Sequence, residues 1–322
     1  MTSRGTMRAV QYERYGAPEV LSLVEVPVPT PGPGQVLVRV RATSVNLSDW
    51  EALTGRPAYA RIGGLRRPAR PVLGSDIAGV VESVGPGVTA FAPGDEVFGD
   101  NLRLMGGFAE FCVAPVSAMA AKPAGLSFVE ASALPQSSAI ALQGTQWAGP
   151  GTRMCVNGAG GGSGAFVIQL AKASGAYVTG VDNAGKQAWM RELGADEVID
   201  YQADDWTRRG PFDLVLDLVA HRSVWAYRRA LAPGGRYRCV GGTARTLLRV
   251  LTAGGLLGAV SGRSLGVLAV RQGPAHFVPM VERCLAGEVT IHVERTFGLD
   301  EVAEALAVVG AGGARGKVVV SP

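Results

Sequence analysis

Histidine and cysteine are scarce in this chain, 3 and 4 residues of 322. A catalytic zinc takes about three protein ligands from Cys, His and Asp or Glu. The histidines, His221, His276 and His292, all fall in the second half without a paired spacing, and the cysteines, Cys112, Cys155, Cys239 and Cys284, are far apart. No zinc is expected. Three of the cysteines lie in apolar strand or helix patterns, where cysteine behaves as a small hydrophobe, which points to reduced thiols and a cytoplasmic protein. Long apolar runs are missing too: no stretch of 18 apolar residues exists, and the nearest, 247–268, is interrupted by Arg249, Arg263 and five glycines. That excludes a spanning helix, so no membrane partner is expected. The opening MTSRGTMRAV has no apolar core of a signal peptide. Charge of one sign does not dominate either, with 31 Lys and Arg against 27 Asp and Glu, and apart from an Arg-rich stretch at 61–70 the charges read as scattered. No nucleic-acid partner is expected. What remains is 47% hydrophobic and 18% charged residues, enough to bury a sizeable core, at a length that suggests about two domains.

The stretch that organises the chain is Met154-Cys155-Val156-Asn157 followed by GAGGGSG at 158–164 and an amphipathic run to Lys172. A short apolar strand that ends in glycines and opens into a helix is the first β-turn-α of a dinucleotide-binding unit. Backbone N–H groups at the helix N-terminus must face a pyrophosphate, and side chains on the turn would hold the phosphates away. Within the loop of Gly158, Ala159, Gly160, Gly161, Gly162, Ser163 and Gly164, the period of three assigns Gly158 to the tight turn, Gly161 to the phosphate approach and Gly164 to the helix–strand contact. Gly175 ends the helix, residues 177–181 read as a second strand, and Asp182 follows Gly164 by 18 residues, close to the roughly 20 expected of a ribose-binding acid.

In chain order, residues 7 to about 125 are β-rich, with runs at 7–11, 35–45, 77–84 and 108–114 punctuated by Pro and Gly. From 128 the texture becomes Ala-rich and helical. Strands and helices then alternate: strand 154–157, helix 164–174, strand 177–181, helix 184–193, strand 197–199, strand 214–219, helix 223–231, a turn at Pro233-Gly234-Gly235, strand 237–240 and a sixth strand at 265–270. Six parallel strands with crossover helices make a doubly wound sheet. The tail, helix 276–286, strand 291–296, helix 300–309 and strand 317–320, is expected to rejoin the N-terminal β domain.

These residues resemble the medium-chain dehydrogenase/reductases, in the zinc-free quinone oxidoreductase branch. The resemblance rests on Ser44-Val45-Asn46-Leu47-Ser48-Asp49, Leu73-Gly74-Ser75-Asp76-Ile77-Ala78-Gly79, Gly94-Asp95-Glu96-Val97, Gly106-Gly107-Phe108-Ala109-Glu110, the glycine loop, Leu193-Gly194-Ala195-Asp196 and Gly316-Lys317-Val318-Val319. It implies an α/β fold: a GroES-like β-barrel catalytic domain, residues 1–127 completed by 288–322, and a Rossmann doubly wound parallel sheet, residues 128–287. The active site would lie in the cleft, with hydride transfer from NAD(P)H and a homodimeric assembly, for which the apolar stretch 247–268 is the candidate surface.

Zinc-dependent relatives carry Cys and His where this chain has Asn46 and Ser75, and a structural zinc would need a four-Cys lobe near 100–110. Without a Lewis acid, a small planar conjugated acceptor, a quinone or an α,β-unsaturated carbonyl, is the expected substrate, because it spreads the incoming charge over its own π-system. An enoyl-thioester reductase, a zinc-free alcohol dehydrogenase and a non-catalytic nucleotide-binding protein are the alternatives. Asn46 is a candidate hydrogen-bond donor to a substrate carbonyl or cofactor ribose, or else a turn-stabilising Asn. Tyr59 is a candidate proton donor or stacking face, or a rim residue, while Asp49 and Asp76 read as structural. Beside the nicotinamide, relatives carry Thr where this chain has Ile140, which cannot hydrogen-bond, so Ser137 or Ser138 takes that part. Val219, at the end of the fourth strand, and Gly241 and Gly242, after the fifth, complete the cofactor-binding set. Asp182 favours NADH, since it would face the roughly −1.5 to −2 charge of a 2′-phosphate, whereas the resemblance favours NADPH; Lys186 can offset the repulsion.

Overall fold

The computed structural model describes residues 5–62 and 64–322. In chain order the strands are β1 (Thr6–Gln11), β2 (Ser22–Pro27), β3 (Gln35–Val45), β4 (Asp76–Val84), β5 (Glu96–Asp100), β6 (Phe111–Pro115) and β7 (Met119–Ala121), then β8 (Arg153–Asn157), β9 (Tyr177–Asp182), β10 (Glu197–Asp200), β11 (Phe212–Asp217), β12 (Leu231–Cys239) and β13 (Ser264–Val267), and finally β14 (Val293–Gly298) and β15 (Lys317–Ser321). The α-helices are α1 (Leu47–Thr54), α2 (Phe128–Ala133), α3 (Pro135–Gly144), α4 (Gly162–Ala173), α5 (Gln187–Glu192), α6 (Val224–Ala230), α7 (Ala244–Arg249), α8 (Gly255–Ser261), α9 (Val278–Leu285) and α10 (Val302–Gly310).

One compact unit holds the chain up to Gln136 together with 272–286 and 291–322. Its sheet runs β14-β15-β3-β4-β5-β7, with β6 also on β3, and is antiparallel except where β14 pairs β15. Such a sheet packs alternate residues inward, and Val36, Val38 and Val40 of β3 meet Ile77, Val81, Val97 and Cys112 in its core. The C-terminal strand enters between β14 and β3, with Val319 opposite Ser44. That register carries Lys317 to the buried end of β3, beside Asn46.

The second unit, 137–271 with 287–290, is a six-stranded sheet in the order β10-β9-β8-β11-β12-β13, parallel throughout. Strand order reverses between β8 and β11, the switch point where parallel sheets bind ligands at their carboxyl ends. Met154, Cys155 and Val156 of β8 are fully buried, as a central strand covered on both faces requires.

Three features differ from the sequence reading. The fourth strand of this sheet ends at Asp217, leaving Val219 in the turn beyond it. Pro233-Gly234-Gly235 lies inside β12 as an irregularity: Phe212 pairs with Leu231 but Leu214 pairs with Arg236, so the extra residues are absorbed by a register jump. The compact units also divide elsewhere than at 127/128 and 287/288. α2 packs on β3 and β4, and α9 is preceded by Phe277, whose ring meets Phe98 edge-on at 5.1 Å, so both sit with the antiparallel unit.

Candidate functional site

In the parallel unit the glycine loop is shaped by backbone bonds to β9: Gly158 and Ala159 both donate to the Val181 carbonyl, at 2.9 and 3.1 Å. Gly158 holds a positive φ of 87°, a conformation side chains disfavour. At Gly164 a Cβ would fall 2.3 Å from the Gly158 carbonyl oxygen, so this glycine lets α4 seat against the loop. Gly161 is different. Its φ is an ordinary −87°, and a Cβ there would meet nothing nearer than that same oxygen at 3.6 Å. It is the N-cap of α4 and supplies no side chain to cap it, so the first-turn N–H groups of Gly162 and Ser163 are offered outward with the positive end of the helix dipole. An open approach at a bare helix N-terminus fits the pyrophosphate of a dinucleotide.

Asp182, at the end of β9, closes the loop from the side. Its Oδ2 accepts from Gly160 N at 3.0 Å, and its Oδ1 from Asn183 N at 2.9 Å and Asn183 Nδ2 at 3.2 Å. The Lys186 ammonium lies 3.5 Å away and both side chains are buried, so this carboxylate is already matched by a positive charge. The Lys186 chain also leaves no room at Gly160, where a Cβ would meet its Cδ at 2.6 Å.

Sequence reasoning missed what ties the strand ends at the switch point. Asp217 is fully buried; it accepts from Asn157 Nδ2 (2.8 Å), Tyr237 Oη (2.8 Å) and Val219 N (3.0 Å). Burial pushes its carboxyl upward and these donors oppose the shift. Tyr237 stacks on Tyr227 at 4.0 Å. The only sequence signal was an acid at the ends of β9, β10 and β11, which chain position alone could not pair with Asn157 and Tyr237. Val219 itself is exposed and touches the turn, its Cγ2 being 3.0 Å from a Cβ built on Gly158. Gly241 and Gly242 follow β12 with φ of 79° and 117°. Ser137 and Ser138 fall inside the first turn of α3, past its N-terminus at Pro135. Ser137 Oγ takes a 3.4 Å bond from Ser163 Oγ, and the buried Ser138 Oγ has no hydrogen-bond partner among the described residues.

In the antiparallel unit Asn46 is the N-cap of α1, and its backbone N–H donates to Asp49 Oδ2 at 2.8 Å. Its side chain is fully engaged. Nδ2 donates to Ser75 Oγ at 3.1 Å and to Asp76 Oδ2 at 2.9 Å, while Oδ1 accepts from Lys317 Nζ at 2.6 Å. With both amide hydrogens used, Asn46 has none to offer a substrate carbonyl in this arrangement. Asp76 also accepts from Ser44 Oγ and Gln136 N, and Lys317 Nζ lies 3.8 Å from it. Desolvation dominates this cluster: it raises Asp49 to about 7 and Asp100 to about 8, raises Asp76, and lowers Lys317. The positions at which a zinc site would need Cys and His thus hold an amide, a hydroxyl and a buried ammonium, a donor set that does not fit a zinc ion. Tyr59 stands apart from this cluster, donating to Glu51 Oε1 at 3.0 Å in the second turn of α1. Burial raises Glu51 to about 7 and lifts the Tyr59 phenol above its ordinary range.

A parallel sheet with an open glycine loop at its switch point and an acid at the end of the next strand is the architecture of a dinucleotide-binding protein. Comparison with known proteins makes the class specific. The alcohol dehydrogenase GroES-like domain family matches residues 32–124, and the zinc-binding dehydrogenase family matches 193–320. A chloroplastic quinone oxidoreductase of Triphysaria versicolor is 32% identical over 98% of both chains. The 2-methylene-furan-3-one reductase of Solanum lycopersicum is 31% identical over 98% of this chain and 79% of its own. The structure of the quinone oxidoreductase from Coxiella burnetii superposes with a TM-score of 0.88 at 27% identity, over 98% of this chain and 99% of that one. The chain belongs to the medium-chain dehydrogenase/reductase superfamily, in its quinone oxidoreductase-like branch, whose members are NAD(P)H-dependent enzymes.

Proposed function

We propose that the protein is a zinc-independent reductase that delivers hydride from NAD(P)H to a planar conjugated acceptor, a quinone or an α,β-unsaturated carbonyl. The observation that carries this is the engagement of Asn46, Ser75, Asp76 and Lys317 with one another. An unconjugated ketone or alcohol needs an electrophile on its oxygen, and this cluster presents no metal-ligating set to hold one. A conjugated acceptor delocalises the incoming charge by itself.

A reduced nicotinamide cofactor, when bound, supplies the hydride. The chain's own part is to bind and orient: Gly161 and the first-turn N–H groups of α4 receive the pyrophosphate, Asp182 and Lys186 flank the ribose, and Val219 with Gly241 and Gly242 follows the strand ends. The proton that completes reduction comes from water, since both Asn46 amide hydrogens are engaged and the Tyr59 hydroxyl donates to Glu51. Because Lys186 neutralises Asp182, NADPH is accepted as well as NADH, with NADH favoured by no more than about tenfold, roughly 1.4 kcal/mol.

The test is a substrate panel followed by nicotinamide absorbance: benzoquinones, enones, an enoyl thioester, and unconjugated ketones and primary alcohols, each with and without a chelator. Turnover of the conjugated acceptors, unchanged by chelation, is expected. Turnover confined to simple alcohols, or zinc near one ion per chain with chelator-sensitive activity, overturns the reading.

A further inference from the structure

The arginine-rich stretch takes no part in the sites described above. Residues 52–75 hold five arginines, Arg56, Arg61, Arg66, Arg67 and Arg70, and neither an acid nor a lysine. Packing divides them. Arg61 is spent on the fold: its Nε donates to the Gly55 carbonyl at 3.0 Å, and its guanidinium lies 4.6 Å from the centre of the Tyr15 ring. Gly55 makes room for that stack, since a Cβ there would fall 2.7 Å from Arg61 Nε and 2.8 Å from Tyr15 Cδ1. The Tyr15 hydroxyl donates to the Gly64 carbonyl. At Gly64 a Cβ would come within 2.2 Å of the Arg67 carbonyl oxygen and 2.8 Å of Ala69 N. Residues 64–69 are thus folded tightly on themselves and tied at their start to Tyr15.

Arg66, Arg67 and Arg70 are what this turn presents. All three are exposed, and no carboxylate among the described residues pairs with any of them. Beside them Leu65 is 79% exposed. Guanidinium groups gathered without an acid call for an anion from outside, and their planar forks match phosphate oxygens in pairs. The distance from the cofactor follows from α1. Ser48, in its first turn, donates to Gln136 Oε1 at 3.1 Å. Gln136 is followed directly by Ser137, on the nicotinamide side of the cofactor set, which accepts from Ser163 of the glycine loop. With eight residues, α1 is about 12 Å long. The arginine turn hangs from its far end, because Gly55 closes the helix and Arg61 bonds Gly55.

We propose that Arg66, Arg67 and Arg70 bind a phosphate at the end of the acceptor's arm, so that the preferred acceptor is an enoyl thioester on a phosphate-bearing carrier arm rather than a quinone with an apolar tail. An acceptor reduced beside Ser137 needs an arm of about the length of α1 to bring its charge to this turn, and a carrier thioester has one. An apolar tail gains nothing from three guanidinium groups without acids, whereas a phosphate is held by them and the apolar part of the arm lies on Leu65. A turn of one charge sign also draws an anionic substrate in, and salt weakens that attraction. The arginines select the substrate and do not touch the reacting atoms. The proposal rests on the reading of the protein as a reductase of conjugated acceptors.

The experiment compares two acceptors that differ by one phosphate, the crotonyl thioesters of pantetheine and of 4′-phosphopantetheine, in steady-state turnover by the full chain with NADPH. A kcat/KM at least tenfold higher for the phosphorylated thioester is expected, carried by KM rather than kcat. The advantage should vanish in about 1 M salt, where the screening length is about 3 Å. Arg66→Ser with Arg67→Ser should bring the ratio close to one, and Arg66→Lys with Arg67→Lys should keep part of it, since an ammonium retains the charge without the fork. Titration calorimetry with 4′-phosphopantetheine alone, in the absence of cofactor, should show binding that the serine pair weakens at least tenfold. Equal kcat/KM for the two thioesters, or an affinity for 4′-phosphopantetheine unmoved by the serine pair, overturns the proposal and leaves the reductase reading standing. Absence of turnover with every conjugated acceptor overturns that reading instead, and the calorimetry still decides whether the arginines hold a phosphate.

Discussion

The glycine loop of the parallel unit and the Asn46 cluster of the antiparallel unit use polar groups in opposite ways. Around Gly161 backbone donors are left open to one side and nothing crowds the approach. Around Asn46 the donors and acceptors are turned on one another, with four titratable side chains, Asp49, Asp76, Asp100 and Lys317, buried in one neighbourhood. The first arrangement is built to receive a ligand and contributes little to stability. The second couples α1, β3, β4 and β15, so its removal should be felt in folding first. The two regions should therefore fail differently when mutated.

The largest effect is expected from Lys317→Met, which keeps the buried stem but removes the charge that matches Asp76. Breaking a buried pair costs about 3–5 kcal/mol, so a melting temperature lower by roughly 6 °C or more should be seen, with the double variant Lys317→Met, Asp76→Asn recovering part of the loss. A melting temperature equal to wild type would show that the cluster does not hold the unit together. Gly161→Val should do the reverse: it leaves melting nearly unchanged but weakens NADH binding at least 100-fold by titration calorimetry, about 2.7 kcal/mol. Gly164→Val sharpens the contrast, because its side chain would strike the loop backbone and lower stability as well as binding.

A smaller effect should appear in pH dependence. Asp49 and Glu51 are raised to about 7 and Asp100 to about 8, burial being the largest cause in each. A carboxyl whose pKa is higher folded than unfolded holds its proton more tightly in the folded chain. Its contribution is complete below about pH 4 and is lost as pH rises through the folded value. Melting temperature should therefore fall by a few degrees between pH 6 and pH 9, and Asp100→Asn should flatten part of that slope; identical profiles for the two proteins would contradict the assignment. The smallest effect is on cofactor choice. Asp182→Ser should move the NADH:NADPH ratio of kcat/KM toward NADPH, and Lys186→Ala toward NADH, each by about tenfold or less. A ratio unmoved by either substitution would show that the pair does not reach the ribose.

The sequence by itself determined whatever depends on neighbours along the chain. The glycine loop is legible because a turn, a bare helix N-terminus and a close helix contact all fall within seven residues, and the alternation from 153 onward is legible because each strand and helix carries its own period. Residues 244–261 were passed over as a helix, since Gly254, Gly255 and Gly258 each cost about 1 kcal/mol of helix propensity relative to alanine, and packing on β13 overrode that cost. The missing Cys and His, with Asn46 and Ser75 in their places, were equally plain, but not the partners those two residues meet. Lys317 stands 271 residues from Asn46, and only the insertion of β15 between β14 and β3 brings its ammonium to the amide. Likewise the arginines of 52–75 are visible as letters, but which is spent on the fold and which face water is decided by Tyr15, whose ring takes Arg61 and whose hydroxyl holds Gly64. Local backbone requirements leave a pattern in sequence, whereas burial and pairing are properties of the register between distant strands, and for those the tertiary structure is the only record.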